Sequence, residues 1–499
     1  MRPCTVRMLS LFRAKIQHLR ERAPLQRCPA RTMSDPSNEA TGVLAEARAL
    51  MRIGGPAIGA QLAQISMGVV DTIMAGQLGS ESLAAVSVGG SAWMPLVISG
   101  MGVLMSISPS VAQSYGADRR LECGQHLRQG LWLSFAVGTV LFVGLQYASH
   151  IMVAFGVEAK LISQASAFLC AVSYGMPGLM AFVALRGFCE GVGTTRPILV
   201  ISLVGTVANI VGNYVFMYGH LGFPAMGAVG CGVSTAVAEW IMAACLALWI
   251  LRTRHYHQFE PFLRFEAPRF HALWHLMQIG IPIAISLFME VSCFAFAGLL
   301  IGRFGAEVVS GHQIALNLAS LTFMVPLGIS IAVCVRVGHF IGSGDPAKAR
   351  WAGTVGAGLC ASFMLLSATA LASVPQFFVG LYTSDPGVHV VGAQLIWLAA
   401  IFQLFDGLQV AAAGALRGLK DTRVTMIITA VGYWGLGFPL GVWLGLYRGW
   451  GASGFWTAFS VALAFAAFFL NARFQYAVAR RIENAAPIVV ESPRPVEVA

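Results

Sequence analysis

Residues 280–302 read GIPIAISLFMEVSCFAFAGLLIG, a stretch of 23 residues in which Glu290 is the one charged side chain. At 1.5 Å per residue, an α-helix of this length is about 35 Å long, which is enough to cross the roughly 30 Å of hydrocarbon in a bilayer. The stretch therefore predicts a transmembrane helix that carries a carboxyl group near its middle.

The composition of the whole chain agrees with this interpretation. Of 499 residues, 57% are hydrophobic and only 11% are charged, and the mean hydropathy is +0.72. A soluble domain has about 25% charged residues, so this chain cannot cover a water-facing surface. The ten cysteines form no CxxC motif, and neither a disulfide framework nor a zinc site follows from them. Composition thus excludes a soluble enzyme, a secreted disulfide scaffold and a disordered protein.

We predict an all-α polytopic membrane protein with twelve transmembrane helices. The predicted spans are 54–76, 91–114, 129–152, 162–185, 197–218, 228–251, 279–302, 313–341, 352–374, 388–415, 424–446 and 453–474. The even-numbered loops between them carry most of the Lys and Arg, whereas the odd-numbered loops carry only Lys160, Arg303 and Arg448. Because cytoplasmic loops are enriched in Lys and Arg, both termini are expected in the cytoplasm.

An internal repeat divides the chain into two similar halves. A constant offset of 226 in sequence number, which we call the repeat offset, pairs prolines and glycines of the two halves: Pro56 with Pro282, Gly76 with Gly302, Gly79 with Gly305, Gly102 with Gly328, and Gly116 with Gly342. Each half has six spans and begins on the same side, so the repeat is parallel. We expect two pseudo-symmetric six-helix lobes around a central cavity, a plan typical of transporters.

This repeat sets the predicted domain boundaries. They are a cytoplasmic N-terminal tail (1–53), a first lobe (54–251), an inter-lobe linker (252–278), a second lobe (279–474) and a cytoplasmic C-terminal tail (475–499). Residues 1–32 hold eight Lys or Arg against one acid. They are either an extra segment before a start at Met33, or a basic amphipathic anchor or transit peptide.

Four acids lie well inside predicted spans: Asp71, Glu239, Glu290 and Asp406. A carboxylate at the bilayer centre costs about 2.5–3.5 kcal/mol, so such residues face protein or water and commonly mark an ion path. No Lys or Arg is predicted at mid-span to pair with them, which favours protonation or a bound cation. Interhelical hydrogen bonding is the alternative, and for Glu239 the two interpretations are balanced.

The repeat does not duplicate these acids. By the repeat offset, the equivalent of Glu290 is Gln64 and that of Asp71 is Ala297. Near Asp406 the halves align through LRGFCEGVGTTRP and LRGLKDTRV at a spacing of 231, which makes Gly175 the equivalent of Asp406. The fifth span adds Asn209 and Asn213, which are four residues apart and therefore share a helix face. Their amide oxygens could coordinate a cation or bond a protonated acid, and packing between helices is an equally good explanation from spacing alone.

Four long motifs resemble the multidrug and toxic compound extrusion (MATE) transporters of the NorM type. They are GVVDTIMAGQLGSESLAAVSVGGS (68–91), RGFCEGVGTTRP (186–197), NIVGNYVFMYGHLGFPAMGAVGCGVSTA (209–236) and FDGLQVAAAGALRGLKDTR (405–423). The resemblance extends over residues 50–475. It implies export of small hydrophobic, often cationic drugs in exchange for inward Na⁺ or H⁺, through rocking of the two lobes.

The resemblance also implies roles for individual residues. Glu290 and Asp406 would bind the coupling cation in the second lobe, as a Na⁺ site. Asp71, Asn209 and Asn213 would form a cation or proton site in the first lobe. Residues expected near the substrate are Ser91, Gln313, Asp385 and Phe402. Phe402 stands where some relatives have a tyrosine, which removes one oxygen, and Glu239 is outside the family motif; both leave the choice between Na⁺ and H⁺ open.

Other function classes are less consistent with the residues. A lipid-linked oligosaccharide flippase of the same wider superfamily should have Arg or Lys inside several spans, where this chain has acids. An ion channel would need a filter motif, and a membrane enzyme would need clustered ligands or nucleophiles. The glycine-rich stretches lack the Lys of a phosphate-binding loop. We therefore expect no enzyme activity, no cofactor and no nucleic-acid partner, but a monomeric, multi-pass protein of a bacterial inner membrane.

Overall fold

The computed structural model describes residues 42–147, 159–262 and 266–485, and within these ranges the chain forms helices and no strands. The helices are α1 (Val43–Gln77), α2 (Ser80–Leu104), α3 (Ile107–Gly116), α4 (Arg120–Gln146), α5 (Ala159–Ser173), α6 (Met176–Gly191), α7 (Arg196–Phe216), α8 (Ala228–Arg252), α9 (Arg254–His257), α10 (Phe270–Ile301), α11 (Ala306–Gly342), α12 (Pro346–Ser373), α13 (Pro375–Gly380), α14 (Pro386–Gly418), α15 (Thr422–Ala430), α16 (Phe438–Val442) and α17 (Ala452–Ala485). The expectations for residues 1–32 and for the end of the C-terminal tail fall outside the described residues.

Twelve membrane crossings are confirmed in number when one broken helix is counted as a single span. Eleven helical segments of the described chain are long and apolar enough to cross a bilayer. The twelfth is the pair Ile162–Ser173 and Met176–Gly191, whose two parts meet at an angle of 45°. Residues 431–437 and 443–447 are wider π-helical turns that join α15, α16 and the end of the eleventh crossing. Hydropathy reports the apolar content of a segment, but it does not locate such breaks.

Arg186 is a correction to the sequence prediction, which placed it in a loop. It lies inside α6, where it is buried and its Nε is 2.7 Å from Oε1 of Glu190. Its Nη1 also donates to Oε1 of Gln64, at 3.0 Å. An ion pair in one helix turn lets the helix continue past a charged residue that hydropathy treats as its end.

One helix of each lobe packs its first turns against the core of the other lobe, and the repeat offset relates these two contacts. We define the first lobe as α1–α8 and the second as α10–α17. Leu50 and Ile53 of α1 pack into the hydrophobic core of the second lobe. Leu276 of α10, which the repeat offset pairs with Leu50, packs into the core of the first lobe. The offset that aligns the sequences therefore also relates the packing of the two lobes.

Glycines that the repeat offset pairs with each other line the contact between the lobes. A Cβ at Gly102 would lie 2.7 Å from Cα of Ala284, and one at Gly328 would lie 2.7 Å from the backbone nitrogen of Ile58. Nearer the helix ends, a Cβ at Gly116 would collide with the carbonyl oxygen of His339. These positions admit only glycine because the backbones of the two lobes touch there.

Reciprocal hydrogen bonds join the lobes at the end of the helices that carries the Arg-rich loops, which we call the basic end. Nε2 of Gln113 donates to the carbonyl of Gly418 at 2.8 Å. His339 is the repeat equivalent of Gln113, and its Nε2 donates to the carbonyl of Gly191 at 2.8 Å. Together with the glycine contacts, these bonds close the basic end.

A buried ion pair also crosses between the lobes at this end. Nε and Nη2 of Arg336 donate to the two carboxylate oxygens of Glu46, at 2.9 and 2.6 Å, and both side chains are almost fully buried. We expect the Arg336→Met variant to lose about 3–5 kcal/mol of stability, because it leaves the Glu46 carboxylate buried without its partner.

Thermal unfolding of the purified protein in detergent measures this loss. The matched control is Lys348→Met, which removes an exposed pair with Asp345 at 3.1 Å and should cost under about 1 kcal/mol. Equal melting temperatures for the two variants would contradict a structural role of the buried pair.

Candidate functional site

A cluster of polar side chains in the first lobe surrounds Asp71. Nδ2 of Asn213 donates to Oδ1 of Asp71 at 2.6 Å, and it lies 3.5 Å from Oδ1 of Asn209. Asn209 and Asn213 have no exposed surface. The two amides face α1 because they are one turn apart on α7, so the structure brings all three predicted residues together.

Thr235 of α8 completes this cluster, and the sequence analysis did not single it out. Its hydroxyl donates to Oδ2 of Asp71 at 3.3 Å and is 3.4 Å from Nδ2 of Asn209. Oδ1 of Asn213 is buried and has no hydrogen-bond partner within the described part of the chain. The cluster therefore presents carboxylate, amide and hydroxyl oxygens to one small volume, and these atoms can hold a proton or a monovalent cation.

The second lobe holds the other two predicted acids. Asp406 lies in the middle of α14 and is 6% exposed, whereas Glu290 of α10 is half-buried. Among the described residues, no hydrogen bond or ion pair engages the Asp406 carboxylate. The carboxyl groups of Glu290 and Asp406 are close enough to interact electrostatically. Two carboxylates in one apolar environment, with no basic partner among the described residues, can hold a cation or a shared proton.

Tyr433 is a further member of this site that the sequence analysis did not assign. It lies on the π-helical turn at 431–437, it is buried, and it interacts electrostatically with both acids. Its hydroxyl donates to Oε1 of Gln409 at 3.0 Å, and the hydroxyl oxygen keeps lone pairs that can accept a hydrogen bond or coordinate a cation. The tyrosine oxygen that Phe402 lacks thus has a candidate substitute on a different helix.

Phe402 itself lies within the apolar core of the second lobe. Its ring centroid is 5.9 Å from that of Phe294 and 5.5 Å from that of Trp456. Only 5% of Phe402 is exposed. It therefore supports the wall beside Asp406, and contact with a substrate stays a prediction.

The other three residues predicted to contact the substrate are Ser91, Gln313 and Asp385. Among the described residues, none of them forms a hydrogen bond with either carboxyl cluster. The hydroxyl of Ser91 donates to the carbonyl of its own helix at Ser87, 3.0 Å away, and Gln313 is exposed. Asp385 caps α14 by accepting from the backbone N–H of Gly387 at 2.9 Å. Their exposure leaves them accessible, and their roles stay predictions.

No group of three or more His, Cys, Asp and Glu side chains in the described part of the chain could hold a metal ion. Structural zinc and similar metals require such groups. The two clusters instead have few charges and several neutral oxygens, which suits a monovalent ion that binds and leaves.

The sequence profile of the MatE family matches the chain twice, at residues 56–215 and 282–443. The starts of the two matches, Pro56 and Pro282, are separated by the repeat offset. The chain belongs to the MatE family. Its MatE domain is thus present in both lobes: the first copy contains Asp71, Asn209 and Asn213, and the second contains Glu290, Asp406 and Tyr433.

Curated bacterial relatives and solved structures agree with this assignment. The chain is 40% identical over 440 residues to the multidrug resistance protein MdtK of Yersinia enterocolitica, which covers 87% of this chain and 96% of that protein. It is 39% identical over 440 residues to MdtK of Yersinia pseudotuberculosis, with the same coverage. The crystal structure of the eukaryotic MATE transporter AtDTX14 superposes with a TM-score of 0.81 at 20% identity, covering 89% of this chain and 99% of that one. That similarity establishes the fold of a multi-pass MATE-type membrane protein.

Proposed function

We propose that this MatE-family protein is a monomeric multidrug efflux antiporter, which exports small hydrophobic, often cationic drugs in exchange for inward Na⁺ or H⁺. The observation that carries the proposal is the pair of carboxyl clusters, one in each lobe, with no basic side chain bonded to Asp71, Asp406 or Glu290 among the described residues. Such acids bind cations and release them when the lobes move. The multidrug resistance proteins among its relatives support drugs as the cargo.

The closed basic end supports alternating access as the mechanism. With the basic loops in the cytoplasm, the expected cavity between the lobes is open to the outside, and a cation can reach Glu290 and Asp406 from there. Binding of the cation weakens drug binding, and the drug leaves. Separation of the lobes at the basic end then releases the cation and admits the next drug. Coupling requires that the ion and the drug favour different states by a few kcal/mol.

Two of the three buried arginines of the described residues argue against a lipid-linked oligosaccharide as the cargo; the third, Arg417, donates to Oγ of Ser330 at 2.7 Å. Arg186 is paired with Glu190 and Arg336 with Glu46. Their charges are therefore neutralised within the fold, and they do not offer a cationic cavity for a pyrophosphate.

Ethidium efflux from pump-deficient bacteria that express the full chain tests the proposal. We expect ethidium to leave these cells faster than control cells, and the rate to rise when Na⁺ is added at fixed pH. A rate that ignores Na⁺ but collapses with a protonophore would identify H⁺ as the coupling ion. No efflux under either gradient would contradict drug antiport.

A further inference from the structure

Glu239, in the middle of α8, lies beside the Asp71 cluster. It is 3% exposed, and its Oε2 is buried and bonds no group of the described residues. Thr235, which bonds Asp71, is one helical turn earlier on the same face of α8. The Asp71 carboxyl is the charged group that acts on Glu239 electrostatically. A second carboxyl therefore acts on the cluster that also contains the unpartnered Oδ1 of Asn213.

The carboxyl of Glu239 occupies a space that glycine leaves open. A Cβ at Gly175, where the broken fourth crossing bends, would collide with Oε2 of Glu239. Trp240 holds the same bend, since its Nε1 donates to the carbonyl of Tyr174 at 2.9 Å. The acid thus sits where the side chain of residue 175 would begin.

The internal repeat identifies the residues of the second lobe that correspond to Gly175 and Glu239. Gly175 is the equivalent of Asp406, with the same spacing that pairs Arg186 with Arg417. The motif MGAVG at 226–230 pairs with WGASG at 450–454, and that spacing makes Leu463 the equivalent of Glu239. Leu463 is fully buried in the second lobe. Each lobe therefore has one carboxyl at this place in the fold, supplied by α14 in the second lobe and by α8 in the first.

We propose that Glu239 is the counterpart of Asp406 in the first lobe and binds the coupling cation, H⁺ or Na⁺, together with Asp71. The inference rests on the proposed antiport and deepens it, because each lobe then has its own two-carboxyl site. Among the described residues, no Lys, Arg or His acts on either acid. A cation can supply the positive charge that two neighbouring carboxylates need, and it can bond the unpartnered oxygens.

Ion binding to the purified full-length protein tests this without any need for drug transport. In the background Glu290→Gln/Asp406→Asn, the second-lobe site lacks its charges, so the remaining rise of the melting temperature with added Na⁺ or with falling pH reports the first lobe. We expect Glu239→Gln in this background to raise the ion concentration at half-response about tenfold or more, and Glu239→Asp to keep most of the response. The matched control is Glu307→Gln, which neutralises an exposed acid.

The outcomes separate this inference from the proposed function. A background response that Glu239→Gln does not change, or the lack of any such response, would contradict an ion site at Glu239. Failure of the proposed function would instead appear as no ethidium efflux from the wild-type chain. If Glu239 only packed against the bend, the isosteric glutamine would leave the ion dependence at its background value.

Moving the second-lobe carboxyl tests the equivalence of the two positions. Asp406→Gly should abolish efflux, and Asp406→Gly/Leu463→Glu should restore it, because the new glutamate enters the space that glycine opens, as Glu239 does at Gly175. Asp406→Gly/Leu463→Gln is the control for volume and should stay inactive. An Asp406→Gly/Leu463→Glu variant that folds but does not transport would contradict the equivalence.

Discussion

The Asp406→Asn variant is expected to export ethidium no faster than cells that lack the protein. Asparagine keeps the size of the side chain, but it removes the formal charge that holds a cation in an apolar environment. Asp406 is almost fully buried and its carboxylate bonds no described protein group, so no neighbour can replace that charge. We expect efflux to fall by about tenfold or more, since ion binding no longer drives drug release. Glu290→Gln should have the same effect.

The matched control for this loss is Glu307→Gln, which neutralises an exposed acid at the start of α11 in the same lobe. Efflux is compared at equal amounts of protein in the membrane fraction, which separates lost transport from lost folding. Full drug resistance in cells that express Asp406→Asn would contradict a coupling role for this carboxyl.

Much of the fold follows from the sequence because membrane helices depend on local composition. Apolar runs predict the number of crossings, and paired glycines predict the spacing of the repeat. The same patterns locate the helix ends less accurately. α11 begins at Ala306, whereas the predicted span began at 313, because the amphipathic turns between them carry a glutamate that lowers hydropathy.

The candidate site was partly predictable for a related reason. An acid within an apolar run is conspicuous, so Asp71, Glu290 and Asp406 were identified from composition. Thr235 and Tyr433 were not, because a hydroxyl in a membrane helix is common and its role depends on which helix it faces. For Glu239, the informative feature is the space that Gly175 leaves open for its carboxyl, and this space is on another helix.

Gly342→Ala should shift the protein toward a conformation in which the basic end is open. A Cβ at Gly342 would collide with the carbonyl oxygen of Gln113 and lie 2.9 Å from the backbone nitrogen of Ala117, and neither backbone atom can rotate away. Gly116→Ala should act in the same way from the other lobe. Overpacking costs about 1–3 kcal/mol, and this cost falls only on the closed conformation. The ratio of the two conformations should change by about 5- to 150-fold.

Distances between spin labels at positions 119 and 348, one in each lobe at the basic end, measure this shift. Both side chains are exposed, so the labels should not disturb the contact. We expect a population at longer distance in Gly342→Ala, and a larger one in Gly116→Ala/Gly342→Ala. Gly358→Ala is the matched control, because a Cβ at this helical glycine meets no atom within 4 Å. Identical distance distributions in Gly342→Ala and Gly358→Ala would mean that the glycine contact does not set the conformation, and another contact, such as the bond between Gln113 and Gly418, would have to hold the lobes together.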